Sequence, residues 1–312
     1  MEKWFLNGLS VARLPNPPCA RDPCLEAENS TSAEALSLNA IWESPAAESS
    51  LAYGDIHLWR ANLDAQLLHQ RQFSEILSAD ERTRACRYHF ERDRARFIIR
   101  RGLLRIILGR YLHLDPAKIQ FDYGPRGKPR ITMSTVDPHY FSLSHSCGLA
   151  LYAISRDGPV GVDVERLRVI RDAAEIGARY FTPPENLRWQ SLGAAQRPEA
   201  FLRCWTRKEA HAKAIGTGIS EFSTESRGRQ PDPVGPGRAR DLPQEPCANL
   251  ECVVWNLTAA RAYVAALACA RPAVLSENSD ERIFMPLRGN NSEADPGTIA
   301  TVDGSVGGSR GF

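Results

Sequence analysis

None of the eight cysteines stands in a CxxC pair, and no Cys/His spacing reads as a zinc site. Free thiols in a reducing compartment fit that pattern, so the expected location is the cytoplasm. Long apolar runs are also missing. The nearest, FIIRRGLLRIILG, is broken by Arg100, Arg101 and Arg105, so no membrane partner is expected. The first residues, MEKWFLNGLS, lack the charged start and apolar core of a secretory leader. A formal charge of +2 over 312 residues gives no global field toward nucleic acid. The one basic concentration is local, an Arg-rich run from Arg82 to Arg110.

An ordinary apolar share, 43%, is enough for a sizeable core. Residues 1–50 carry Pro15, Pro17, Pro18, Pro23 and Pro45 with no sustained period, and read as a flexible extension outside the catalytic fold. From Tyr53 the pattern changes. IHLWRANL alternates as a strand, and Ser78 with Glu81 has the capping-box spacing that starts a helix. Phe97, Leu104 and Leu108 recur at helical spacing toward a core, with Arg94, Arg96, Arg100, Arg101 and Arg105 spread over the remaining, mostly solvated surface. KIQFDYGPRGKPRI is a strand, a Gly/Pro turn holding Lys128, and a second strand. FSLSHSCGLALYAIS gives two alternating runs around Ser144, His145, Ser146 and Gly148, and a tight turn near Asp157 and Gly158 is expected to form a hairpin with the next strand.

Thr182, Pro183 and Glu185 make a second helix start, and Ala200 to Ile215 reads as a helix ended by Gly216. ECVVWNLT and AYVAALACA read as two closing strands. Between them and the helix, about 223–250 reads as a disordered loop, and 273–312 as a disordered tail. The remainder forms halves over 51–155 and 156–272, without a clear repeat in the sequence.

Two stretches carry the chemistry. In GPVGVDVE, strand alternation turns Val162 and Val164 to one face and Asp163 and Glu165 to the other, where two acids repel unless a cation sits between them. In CWTRKEAHAKAIGTG, Glu209 and Lys213 lie four apart on a helix face, with Lys208 beside Glu209, so that a carboxylate and two ammonium groups are expected to share one surface. Asp163, Glu165 and Glu209 are hard oxygen donors of the kind Mg²⁺ takes, and the lysines suit phosphate. The chemistry suggested is attack on a pyrophosphate. Taken singly, each stretch is more often a solvated pair or a wet strand face.

Together, GVDVE and WTRKEAHAK resemble the paired signature of the Sfp-type 4′-phosphopantetheinyl transferases, G-[IV]-D-[IV]-E and W-x-x-K-E-[AS]-x-x-K, with every fixed position present. The resemblance extends over FSLSHSCG, GKP and the Arg-rich helix, about Ile56 to Gly218, and into the strands to about Ala270. It implies an α+β fold of two similar subdomains with the active site in the cleft between them. It further implies that Arg84, Arg96, Lys128, Ser144 and His145 bind the nucleotide end of coenzyme A. Lys208 and Lys213 would then hold the pyrophosphate, Asp163, Glu165 and Glu209 would hold Mg²⁺, and Glu209 would take the proton. Trp205 reads as a packing anchor.

The expected function is transfer of 4′-phosphopantetheine from coenzyme A to a serine of an apo acyl or peptidyl carrier protein, by a monomer. A non-catalytic coenzyme A sensor is the alternative; it would be expected to have lost an acid or lysine of the signature. A nucleic-acid module would rest on the Arg-rich helix alone.

Overall fold

The computed structural model describes residues 9–15, 37–38, 40–45, 50–124, 126–132, 139–222 and 250–272. The chain divides into two compact units, Met1–Ala273 and Val274–Phe312, and the second lies wholly outside the described residues. So do 223–249 of the segment read as a loop over about 223–250, whose last residue, Leu250, begins a strand, and the segment read as a tail, 273–312.

The fold is α+β. Strands β1 (Leu9–Pro15), β3 (Asp55–Asn62), β6 (Tyr140–Ser146) and β7 (Leu149–Ser155) form an antiparallel sheet in the order β1-β3-β7-β6. Strands β2 (Ser37–Leu38), β8 (Val160–Arg166), β9 (Leu250–Leu257) and β10 (Tyr263–Pro272) form a second, ordered β2-β9-β10-β8, in which β2 is parallel to β9. A short pair, β4 (Phe121–Tyr123) and β5 (Pro129–Ile131), flanks the Gly127 turn, where φ is 77°.

Alternation along β3 and β7 explains the layering. Trp59, Tyr152 and Ile154 face the long helix α3 (Glu91–Leu112) and pack on Ile99, Leu103, Leu104 and Ile107. Leu58, Leu151 and Ala153 face the other way, onto Val162, Val164 and Leu267 of the second sheet. Both faces of β7 are therefore covered, which is why all seven of its residues are buried. The far side of the second sheet carries α6 (Arg197–Ile215) through small residues only: Ala210 and Ala214 on Ala266, Ala268 and Ala270.

Gly161 completes that contact, since a Cβ there would run into the backbone of Ala210 and Ala214. The helix stops at Gly216, whose φ of 82° is the left-handed conformation glycine adopts without penalty.

Both capping boxes form, Ser78 with Glu81 on α2 (Ala79–Ala85) and Thr182 with Glu185 on α5 (Pro183–Ser191). Helix α4 (Ala173–Tyr180) leads to Phe181, which is buried against Phe201. Trp205 stacks on Phe201 with ring centroids 6.5 Å apart, as expected of an anchor.

Three expectations are corrected. Part of the N-terminal stretch belongs to the fold: LSVARLP pairs along β3 at a sheet edge, and Leu9 and Leu14 enter the core. The proline that closes it obscured a strand that an edge tolerates. No hairpin forms at Asp157–Gly158; β7 pairs with β3 and β6, whereas β8 crosses to the second sheet and pairs with β10. Finally, Arg100, Arg101 and Arg105 are buried rather than spread over the surface. Arg101 Nε and Arg105 Nε donate to the two oxygens of Glu81, at 2.7 and 2.6 Å, and Arg105 Nη1 reaches the carbonyls of Pro116 and Ile119.

Candidate active site

The site forms where the free edge of β8 meets a row of serines on β6. Hydroxyls of Ser142, Ser144 and Ser146 accept the backbone N–H groups of Val162, Val164 and Arg166, at 3.0, 3.3 and 3.1 Å. The carbonyls along the same edge are taken by lysines. Lys128 Nζ donates to Val160 O at 3.4 Å and to Lys213 O, and Lys213 Nζ donates to Val162 O at 3.2 Å. Side chains thus satisfy an edge that would otherwise need a neighbouring strand.

The two acids of β8 are held from the same row. Ser144 donates to Asp163 Oδ1 at 2.7 Å and Ser146 to Glu165 Oε2 at 2.9 Å. Lys213 Nζ lies 2.6 Å from Asp163 Oδ1. Asp163 is 5% exposed, yet its buried Oδ2 has no hydrogen-bond partner. Desolvation, and then the charges of Asp163 and Glu165, push the Glu209 carboxyl above its ordinary value against the pull of Lys213. Desolvation likewise raises Glu165, with Asp163 adding to it and the Ser146 hydrogen bond opposing it. Lys213 is the cation that acts on both glutamates and pairs with Asp163.

Among the described residues, no three His, Cys, Asp or Glu side chains close to metal-binding geometry. The donor set nevertheless suits a divalent cation: its carboxylates repel one another, and one buried oxygen is unpartnered.

A cleft of about 350 Å³ opens beside these groups, lined by Arg84, Arg100, Arg126 and Lys128 together with Glu209 and Lys213. Arg84 sits over the Tyr123 ring, 5.0 Å from its centroid. Arg100 donates to His145 Nε2, so that nitrogen is an acceptor and the imidazole is neutral. Desolvation and the charges of Arg100, Lys213 and Arg96 act in the same direction, holding His145 below its ordinary value.

Not every expected residue joins the cleft: Ser144, His145, Asp163 and Glu165 lie beside it and do not line it. Arg96 is committed to Asp64, at 2.8 and 2.7 Å, and lines a separate hollow with Arg60 and Arg166. Lys208 does not share a surface with Lys213. They lie five positions apart, about 140° around a helix, and Lys208, 4% exposed, lies with Nζ 2.8 Å from Glu185 Oε2. Conversely, Arg100 and Arg126 enter the cleft though neither was expected as a site residue. The Ser-x-Ser-x-Ser alternation of β6 is the sequence signal for the seam, whereas the family resemblance singles out only Ser144 and His145, as ligands of the nucleotide end.

Known proteins resemble this chain along both halves. The profile described as 4′-phosphopantetheinyl transferase superfamily matches residues 159–268, and that described as 4′-phosphopantetheinyl transferase, N-terminal, matches residues 64–156. The 4′-phosphopantetheinyl transferase HetI of Nostoc sp. is 40% identical over 174 residues, 55% of this chain and 73% of that protein. A putative 4′-phosphopantetheinyl transferase of Synechocystis sp. is 35% identical over 52% of this chain and 65% of its own length. The 4′-phosphopantetheinyl transferase psf-1 of Bacillus pumilus is 30% identical over 202 residues, 65% of this chain and 82% of that protein.

Proposed function

The chain belongs to the 4′-phosphopantetheinyl transferase superfamily, and from that membership we infer that it transfers 4′-phosphopantetheine from coenzyme A to a serine of an apo acyl or peptidyl carrier protein. The observation that carries this reading is the meeting of Lys213 and Asp163 at the edge of a basic cleft. In the reaction the carrier serine oxygen bonds to the phosphorus bearing the pantetheine arm. The bridging P–O bond breaks, its electrons leave with 3′,5′-ADP, and the serine proton passes to a base.

Glu209 is the group we assign to that proton, directly or through a metal-bound water that it orients. Lys213, which lines the cleft, would offer its ammonium to the pyrophosphate. Arg84, Arg100, Arg126 and Lys128 supply the charge for the nucleotide end. Lys208, buried and paired with Glu185, is left to hold α6 rather than to touch phosphate. Asp163, Glu165 and Glu209 would hold Mg²⁺. Bound there, the ion would neutralise charge developing on the pyrophosphate.

One chain supplies the lining of the cleft, which suits a monomer. No helix of the described residues is long and apolar enough to cross a membrane. With no zinc or CxxC spacing among the cysteines, we place the reaction in the cytoplasm. Since Arg100, Arg101 and Arg105 are buried, the helix that suggested nucleic acid offers no continuous basic face.

The test is intact mass of an apo carrier protein incubated with this protein, coenzyme A and Mg²⁺, beside an EDTA control and a coenzyme A omission. A gain of one phosphopantetheine that EDTA abolishes is expected. Coenzyme A binding without any gain on several unrelated carriers would instead identify the non-catalytic sensor.

A further inference from the structure

The three serines of β6 make the same bond to β8, but they do not do the same thing beyond it. Each hydroxyl accepts one backbone N–H. A serine hydroxyl has a single proton to give. Ser144 gives it to Asp163 and Ser146 gives it to Glu165. Ser142 accepts from Val162 and has no carboxylate as partner. All three are nearly closed to solvent, with exposures of 5, 6 and 9% in chain order.

We propose that Ser144 and Ser146 are positioning residues, which fix the Asp163 and Glu165 carboxylates in the orientation that a divalent cation needs. This rests on the cation reading of the acid cluster given above. The hydroxyl accepts the strand's own N–H on one side and gives its proton to the carboxylate on the other. A ligating carboxylate turned by such a partner is pre-oriented, and loss of an outer partner of this kind lowers metal affinity about 10- to 100-fold.

Ser142 is the internal control, because Ser142→Ala removes the same backbone bond without touching an acid. The experiment measures Mn²⁺ binding by electron paramagnetic resonance on the full chain, together with urea unfolding midpoints, for the wild type and for Ser142→Ala, Ser144→Ala and Ser146→Ala. All three variants are expected to unfold at lower urea by similar amounts. Only Ser144→Ala and Ser146→Ala are expected to weaken Mn²⁺ binding, by about 10-fold or more, with Ser142→Ala matching the wild type. Equal Mn²⁺ affinity in all three variants would overturn the positioning role while leaving the cation reading intact. A wild type that binds no Mn²⁺, with or without coenzyme A, would overturn the cation reading itself and the proposal with it.

Discussion

Lys208 Nζ lies 2.8 Å from Glu185 Oε2, an oxygen that also accepts the backbone N–H of Thr182 in the cap of α5. The other half of the molecule repeats the device. Glu81, the third residue of the α2 capping box, accepts from Ser78 N and from Arg101 and Arg105 of α3. In both halves a capping glutamate is the hook on which the long helix hangs, fully enclosed at Glu81 and partly exposed at Glu185. The cations differ in type and spacing, so the correspondence is not visible as a sequence repeat.

Replacing Lys208 with alanine therefore removes a buried partner rather than a phosphate ligand. Because Glu185 keeps some solvent contact, the cost is set at about 3 kcal/mol, the lower end for breaking a buried pair. Denaturant unfolding should register that loss while coenzyme A affinity of the folded protein, by calorimetry, stays that of the wild type. A collapse of affinity without loss of stability would return Lys208 to the cleft.

Glu81→Ala strands two buried guanidinium groups. With Glu81 fully enclosed and Arg105 1% exposed, the expected loss is about 3–5 kcal/mol. Arg84 rides on the same helix, so coenzyme A binding should weaken as well. Unfolding midpoints within experimental scatter of the wild type would show that the triad contributes little.

For Glu209→Gln the expected pattern is the reverse. Turnover in the carrier assay should fall about 10²- to 10⁴-fold, the range for losing a general base, with an unchanged melting curve. Near-normal turnover would move the proton to water or to another group.

Stability should also fall on acidification through His57. Its ring is enclosed, and Tyr111 Oη, which takes the Trp59 indole N–H at 2.8 Å, lies 2.7 Å from His57 Nδ1. Burial, and then Arg13, lower its pKa to about 4 from 6.5. The folded value is the lower one, so the unfolded chain binds the extra proton as pH drops through that window. Stability is therefore lost between about pH 6.5 and 4 and is unaffected by this group above it. His57→Gln should flatten the pH 7 to pH 5 slope of the unfolding free energy by about 2 kcal/mol. An unchanged slope would assign the acid sensitivity elsewhere.

Gly161→Ala puts a methyl group against the backbone of α6. Overpacking of this kind costs about 1–3 kcal/mol, and it moves Glu209 and Lys213 away from Asp163 at the same time. Both the melting temperature and turnover should drop. A variant with full activity would mean that the helix can shift without disturbing the acid cluster.

How far the sequence led depended on whether a residue's partner was local. The caps at Ser78 and Thr182, the strand faces of Val162 and Asp163, and the stop at Gly216 all follow from neighbours a few residues away. Glu209 and Lys213 were legible for the same reason, being one helical turn apart. Lys208 was misplaced because its partner, Glu185, comes from another helix. Arg101 and Arg105 looked like surface because nothing near them in sequence announces Glu81. Ser144 and Ser146 were recognised as polar and close to the site, but a strand edge supplied by a distant segment decides where their protons go.

That seam also settles alignment between the two sheets. Ordinary strands take their register from a backbone ladder, in which a slip of two residues leaves every bond type unchanged. Between β6 and β8 the spacing is written in residue identity instead: a slip of one residue offers Leu143 and His145 to the waiting amides, and a slip of two leaves an amide without its hydroxyl. Ser-x-Ser-x-Ser therefore works as a ruler laid against Asp-x-Glu, and the distance between the two acids and the cleft is read off its marks.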